Sequence, residues 1–380
     1  MEQAIQHGAN IIVKDWVRLR TRERLLIVSS LKYAAEVQAM QTTAKAVGAT
    51  AEVLLLDDLH EQVGQYFDDR EDAFDPYDAV IGATEYSLIT TRAVKRVVQR
   101  RHRFLSLPLS TNNGQSLLSY DFLNMSLPKS RIMASIIMNC YQNASKIHVT
   151  TDLGTDLDFT IEGRTPGFFN GCCRDGNGLA SSSVEVYVAP VETETSGTLI
   201  LDGSMGYIGV VSSPVRVELQ HGKIVDIEDN ESGRRLKQFL QRFKDPEDMV
   251  VAAEFGIGLN THSHCDGNCY IEDESTYGTL PHTELIVHAE RLLTPHGKFQ
   301  VILPVEEACQ LIAYARRYHL FPRKITRVHP NPGKAPKRLL IQLTRQALPP
   351  VETDLTVELS RHHYSEEYIA LTREFYLKME

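Results

Sequence analysis

The run RLLIVS at residues 24–29 is short, apolar and rich in branched side chains, and its surroundings decide the fold. A helix-compatible stretch from Ala34 to Val47 follows and stops at Gly48, a natural C-cap. AEVLLLDD at 51–58 repeats the strand signal, YDAVIGAT at 77–84 gives a third, a helical stretch covers Thr90 to Arg101, and FLSLP at 104–108 gives a fourth. Strands alternating with helices in this way predict an α/β domain over residues 1–128, built on a mostly parallel sheet covered on both faces.

Around Lys146 the pattern changes. KIHVTTDLGTDLDFTIEGR, VEVYVAP, GTLILDGS, VRVELQHGKIVDIE and DMVVAAEFGIG are alternating or β-branched runs separated by glycine-rich turns. They predict a β-rich domain over 129–279, with one helical stretch at 232–244. From Leu280 a third style begins. A helix-like stretch from Thr283 to Leu293 ends at PHGK, FQVILP reads as a strand, and Val305 to Tyr318 is again helical. RKITRV (323–328) and RLLIQLT (338–344) are strand candidates flanking the turn-rich HPNPGKAPK. The closing YSEEYIALTREFYLKM is helical, with Ser365 as candidate N-cap and Glu366 and Glu367 in the first turn. Residues 280–380 thus form a C-terminal α/β segment.

The composition is that of a globular protein: 380 residues, 42% hydrophobic and 23% charged. No stretch approaches the ~20 apolar residues of a spanning helix. The opening MEQAIQHGAN has neither the basic start nor the apolar core of a signal peptide, so the expected compartment is the cytoplasm. Cys140, Cys172, Cys173, Cys265, Cys269 and Cys309 are scattered through a chain too large to need disulfide staples, and reduced thiols are expected. The net charge of −9 hides a split: residues 1–279 carry 26 Lys/Arg against 38 Asp/Glu, residues 280–380 carry 14 against 11. Different partners are expected for the two parts.

The succession GTDLDFTIEGR, VEVYVAPVET, GTLILDGS, HGKIVDIE, AEFGIGLN and EDESTYGT, spanning 146–279, resembles the metallo-aminopeptidases known as aminopeptidase T or thermophilic leucyl aminopeptidases. The strand–helix alternation before Pro128 also fits that family, so the resemblance covers roughly residues 1–279. It implies a dinuclear site for divalent metal (Zn, Co or Mn) whose ligands include Glu185 and Glu254, a peptide substrate trimmed from its end, and a homodimer. Carboxylate oxygens from two strands can bridge divalent ions, which lower the pKa of a shared water for attack on a peptide carbonyl. In the family, the segment DE-x-x-x-GT is followed by a ligand His, then a Tyr and a distant H-x-D pair. Here DESTYGT (273–279) is followed by LPHTELI, so His282 is one residue displaced, and the later Tyr, His and Asp are not recognisable. A shell of Glu185, Glu254 and His282 is short of ligands, and weak or absent peptidase chemistry is expected. Relatives of this fold that bind one iron make ring-opening oxygenation the related alternative. HSHCDGNC (262–269) offers two His and two Cys within one loop, yet lacks the second half of a zinc ribbon, and a polar loop near the site mouth is the expectation.

The last hundred residues carry a second resemblance. LPHTELIVHAERLLTPHGKFQVILP, TRVHPNPGKAPKRLLIQLTR and YSEEYIALTREFYLKM look like the C-terminal part of bacterial tRNA adenine-N6 methyltransferases. This implies the last helices and strands of a class I methyltransferase fold. The front of that fold, with its acidic-Gly-x-Gly loop and Asn-Pro-Pro-Tyr, is absent, so S-adenosylmethionine binding is not expected from this chain alone. No Asp or Glu occurs between Ala308 and Val351, where nine Lys/Arg include Arg327, Lys334, Lys337 and Arg338. Such a patch would contact tRNA phosphates with salt-sensitive affinity. The whole reads as a fusion of an aminopeptidase-like body with a methyltransferase-like tail, with no membrane partner.

Overall fold

The computed structural model describes residues 2–58, 63–243, 247–277, 282–361 and 363–373, leaving out the side chains of 248, 282–284 and 288. Met1–Gly278 and Thr279–Glu380 are two compact units.

The first unit opens with helix α1 (Glu2–Asn10), which runs into a wider turn at Ile11–Trp16, then β1 (Arg24–Ser29), α2 (Ala34–Val47), β2 (Thr50–Leu55), α3 (Val63–Asp69), β3 (Ala79–Gly82), α4 (Arg92–Gln99) and β4 (Arg103–Ser106). Gly48 ends α2 with φ +83°, and its N–H reaches the carbonyls of Ala44 and Lys45, the capping expected from the sequence. In β1, Leu25 and Ile27 enter a core shared with α1, α2 and Trp16, whereas Leu26 and Val28 enter a second core with Phe67, Phe74, Val94 and Val97. A strand buried on both sides reads as a continuous apolar run, and RLLIVS does.

Helix α5 (Leu127–Gln142) follows, then β5 (Lys146–Thr150), β6 (Asp156–Thr160), β7 (Gly167–Asn170), β8 (Leu179–Ser181), β9 (Val184–Val188), β10 (Ser196–Leu201), β11 (Val215–Gln220), β12 (Lys223–Ile227), α6 (Glu231–Leu240), β13 (Phe255–Gly258) and α7 (Tyr270–Ser275). Three sheets result: a parallel one ordered β2-β1-β3-β4-β8, and antiparallel ones ordered β12-β11-β10-β6-β5 and β13-β9-β7. The short strand β8 carries the chain from the β-rich segment back onto the parallel sheet. Val184, Val186, Val188, Val215, Val217, Phe159 and Leu259 form the core of the β-rich part, against which residues of α5 pack.

Four helices, α1, α3, α5 and α7, depart from the sequence expectation. Neither α1 nor α5 was anticipated, because exposed Ile132 and Ile136 blur the polar face of α5, although Ser126 caps it and Pro128 sits in its first turn. Helix α7 is too short to show a period.

In the second unit, α8 (His282–Leu292), β14 (Phe299–Pro304), α9 (Val305–Ala315), β15 (Phe321–His329), β16 (Arg338–Thr344), β17 (Val351–Thr356) and α10 (Glu366–Thr372) surround a sheet ordered β14-β16-β15-β17. The β15–β17 pair is parallel and the others antiparallel. Ile286 of α8 and Ala308, Leu311 and Ala315 of α9 pack on Leu339, Ile341 and Leu343. Ser365 caps α10, its hydroxyl accepting from the Tyr368 N–H at 3.1 Å. The mixed α/β architecture agrees with the expected fold class.

Candidate active site

Alternation along VEVYV sends Val184, Val186 and Val188 into the core and leaves Glu185 and Tyr187 on the opposite face of β9. The antiparallel register sets Gly258 opposite Glu185 and Gly256 opposite Tyr187. By the same alternation Glu254, Gly256 and Gly258 share that face, while Phe255, Ile257 and Leu259 pack into the core. The two glycines make room. A Cβ on Gly256 would stand 2.6 Å from Oε2 of Glu185, and one on Gly258 would meet the carbonyl oxygens of Thr276 and Glu274 at 2.4 and 2.7 Å.

The space left by Gly258 is filled by the end of α7. The Ser275 hydroxyl accepts from the Val184 N–H at 2.9 Å and donates to the Ile271 carbonyl, and the Ser275 carbonyl accepts from the Asn260 N–H at 2.8 Å. Buried Asn260 in turn donates to the Phe122 carbonyl at 2.7 Å and accepts from the His262 N–H at 2.9 Å. These bonds bring Glu274 into the field of Glu185 and Glu254.

All three carboxyl groups are held above the ordinary carboxylate range, burial being the first cause in each. Burial pushes Glu185 up to about 7, against the opposing hydrogen bond of Ser183, and the charge of Glu254 adds a lesser push upward. Burial also raises Glu254. Glu274 rises well above the ordinary carboxylate range through desolvation and then through the charges of Glu185 and Glu254. Glu185 is 7% exposed. Glu254 and Glu274 present surface to solvent. The Tyr187 hydroxyl is pushed up to about 12, by burial first and by the two nearby glutamates next, so it stays protonated. Such an arrangement can hold shared protons near neutrality or accept a cation.

Glu185 and Glu254 therefore fall in one electrostatic cluster. Of the third sequence candidate, His282, the side chain lies outside the described residues. Glu274 was missed as a candidate, although its motif DESTYGT was singled out. The three glutamates form a looser group than a tight ligand cage. Among the described residues, the one group of three or more His, Cys, Asp or Glu ligand atoms all within 4.8 Å of one another is exposed His148, Asp156 and Asp158 on β5 and β6.

The HSHCDGNC residues go separate ways. His262 Nδ1 meets Asp121 at 2.9 Å, and His264 lies 3.6 Å from Glu272. Cys265 is exposed and Cys269 buried. Asp273 Oδ1 accepts from the N–H groups of Asp266 and Gly267, which ties the loop to α7.

In the tail, the parallel β15–β17 pairing puts Arg327 against two acids that are distant in sequence. Arg327 is bonded to Glu352 and lies 3.7 Å from Asp354. Lys334, Lys337 and Arg338 surround the 330–338 turn and make no ion pair among the described residues. The backbone of that turn is pinned by Lys337 N–H to Val328 O at 2.9 Å and by His329 Nδ1 to Lys334 O at 2.7 Å.

A segment of the chain matches tRNA1(Val) (adenine(37)-N6)-methyltransferases: that of Flavobacterium johnsoniae is 42% identical over 147 residues, 38% of this chain and 60% of the relative. That of Phocaeicola vulgatus is 47% identical over 100 residues, 26% of this chain and 43% of the relative. The chain thus spans 60% or less of the length of these relatives. Among solved structures, a 2,5-dihydroxypyridine dioxygenase from Pseudomonas putida KT2440 shares the fold with a TM-score of 0.57 at 14% identity, covering 90% of this chain and 92% of that one. Wild-type AmpT from Thermus thermophilus aligns with a TM-score of 0.45 at 11% identity, covering 67% of this chain and 78% of that one. The family model described as NicX, 2,5-dihydroxypyridine 5,6-dioxygenase, matches residues 17–281, and by that match the chain belongs to this family.

Proposed function

We propose that the first unit is a divalent-metal-dependent aminopeptidase that holds its metal through Glu185 and Glu254, with Glu274 as a further carboxylate. One observation carries the reading: Glu185 and Glu254 share the face of β9 and β13 where Gly256 leaves room for the Glu185 carboxylate, and Glu274, at the end of α7, lies within the field of both. A cation relieves the repulsion among them, and hard carboxylate oxygens suit Zn, Co or Mn in a hydrolytic role. A bound divalent ion would supply Lewis acidity toward a peptide carbonyl and a water of lowered pKa. The chain's own part is to orient. Glu185 is fixed against Gly256, Tyr187 offers a proton that it does not lose near neutrality, and a spare carboxylate can receive the α-amine of a peptide.

A second reading, ring-opening dioxygenation of a dihydroxypyridine, is favoured by the family match. Among the described residues neither donor set is complete: non-haem iron oxygenases characteristically present two imidazoles and a carboxylate, the aminopeptidase resemblance also calls for further His and Asp ligands, and the His282 side chain lies outside the described residues. For the second unit, the likeness to tRNA methyltransferases and the cations at 334–338 support contact with tRNA rather than methyl transfer.

Two assays on the metal-stripped full chain separate the readings. Turnover of an aminoacyl chromogenic substrate restored by Zn2+, Co2+ or Mn2+, and lost in Glu185→Gln and Glu254→Gln, supports the peptidase. Cleavage of 2,5-dihydroxypyridine with Fe2+ and oxygen, without peptide turnover, replaces it by the second reading. Neither turnover nor bound metal by elemental analysis removes both.

A further inference from the structure

Well away in sequence from the glutamates, five arginines line one cavity of about 520 Å³ in the first unit: Arg18, Arg20, Arg101, Arg103 and Arg174. No Asp or Glu lines it. Residues 1–279 carry twelve more acidic than basic side chains, so this gathering runs against the charge of its surroundings.

The five play two parts. Arg103 is structural: it donates to the carbonyls of Val17 and Arg18 at 3.1 and 2.8 Å and to Glu23 Oε2 at 2.6 Å. That holds the 17–18 backbone against the start of β4. Two further bonds, Cys173 N–H to Trp16 O at 3.0 Å and Phe104 N–H to Gly178 O at 2.7 Å, tie in the 173–178 loop. The other four guanidinium groups, on three separate loops, are exposed and have no hydrogen bond or ion pair among the described residues. Arg18 and Arg101 are also held in the left-handed backbone region, with φ +55° and +62°. Like charges converging on one recess repel each other, and among the described residues none of these four guanidinium groups has an ion-pair partner.

We infer that this cavity binds a small anion carrying two or more phosphate groups. Guanidinium forks match phosphate oxygens two at a time, and four of them on three sides fit a chain of phosphates better than one carboxylate. A recess of this volume, open to solvent on one side, has room for a small phosphate-bearing molecule, and a nucleic-acid strand is left as an outcome of the test. The cavity opens at the N-terminal end of β4, away from the C-terminal strand ends where open α/β sheets usually take their ligands. It shares no residue with the glutamate face, so the inference stands independently of the peptidase reading.

Calorimetric titration of the full chain with tripolyphosphate and with ATP at low salt tests it, beside the variants Arg20→Gln and Arg174→Gln on separate loops. The wild type should bind tripolyphosphate, each variant should weaken binding by about tenfold, one charge-assisted contact's worth, and Glu185→Gln should leave it unchanged. Tighter binding of ATP than of tripolyphosphate assigns a nucleotide, and equal binding assigns a phosphate chain alone. No heat with either ligand overturns the inference. So does an affinity unaltered in both variants, or a single-stranded RNA that binds through these arginines when tripolyphosphate does not.

Discussion

Replacing Glu185 by Gln in the metal-stripped protein should make the first unit more stable at alkaline pH and leave it nearly unchanged at acid pH. Glu185 is 7% exposed and its folded pKa is raised from 4.5 to about 7, chiefly by burial. An unfolded chain gives up that proton near 4.5, a folded one only near 7, so between these values the native state binds more protons. Stability therefore falls as pH rises through this window and levels off above it. The difference corresponds to roughly 3 kcal/mol for a group this buried. Gln is nearly isosteric, never ionises and can donate to the neighbouring carboxylates, so Glu185→Gln removes the loss. Urea unfolding followed by fluorescence reports on this unit alone, because the chain's one tryptophan, Trp16, is buried there. Wild type and variant should coincide near pH 4.5 and separate by up to about 3 kcal/mol at pH 8. Adding Mn2+ or Zn2+ should nearly close the gap at pH 8 by stabilising the wild type, by about 2.7 kcal/mol at a hundredfold excess over Kd. A gap between the two proteins that is the same at both pH values would refute the electrostatic account of this face.

Gly256→Ala, whose Cβ would displace the Glu185 carboxylate rather than any backbone, should weaken metal binding about tenfold in a titration while costing the fold about 1 kcal/mol or less. Gly258→Ala meets carbonyl oxygens of the α7 turn and should instead destabilise the first unit by about 3 kcal/mol in urea. Asn260→Ala leaves the Phe122 carbonyl and the His262 N–H unpaired and should cost about 2 kcal/mol in the same assay. In the tail, changing Lys334, Lys337 and Arg338 to Glu should abolish a tRNA gel shift that already fades with rising salt, while Arg327→Gln, whose charge is offset by Glu352 and Asp354, should change it little. Equal losses from both would refute the division of labour drawn here.

What the sequence determined lies within short reach along the chain. Branched apolar runs such as RLLIVS, the glycine stop after α2, the alternation that puts Glu185 and Glu254 on one face, and the Ser365 cap all express forces acting over a few residues. Helices α1 and α5 escaped because their burial depends on partners elsewhere in the chain. Tertiary structure alone placed Glu274 beside Glu185, set Glu352 and Asp354 against Arg327 across an acid-free stretch, and drew arginines from three loops around one cavity. Each of these is a matter of electric field. Fields depend on separation in space and on the water displaced between charges, and neither quantity is written in the order of residues.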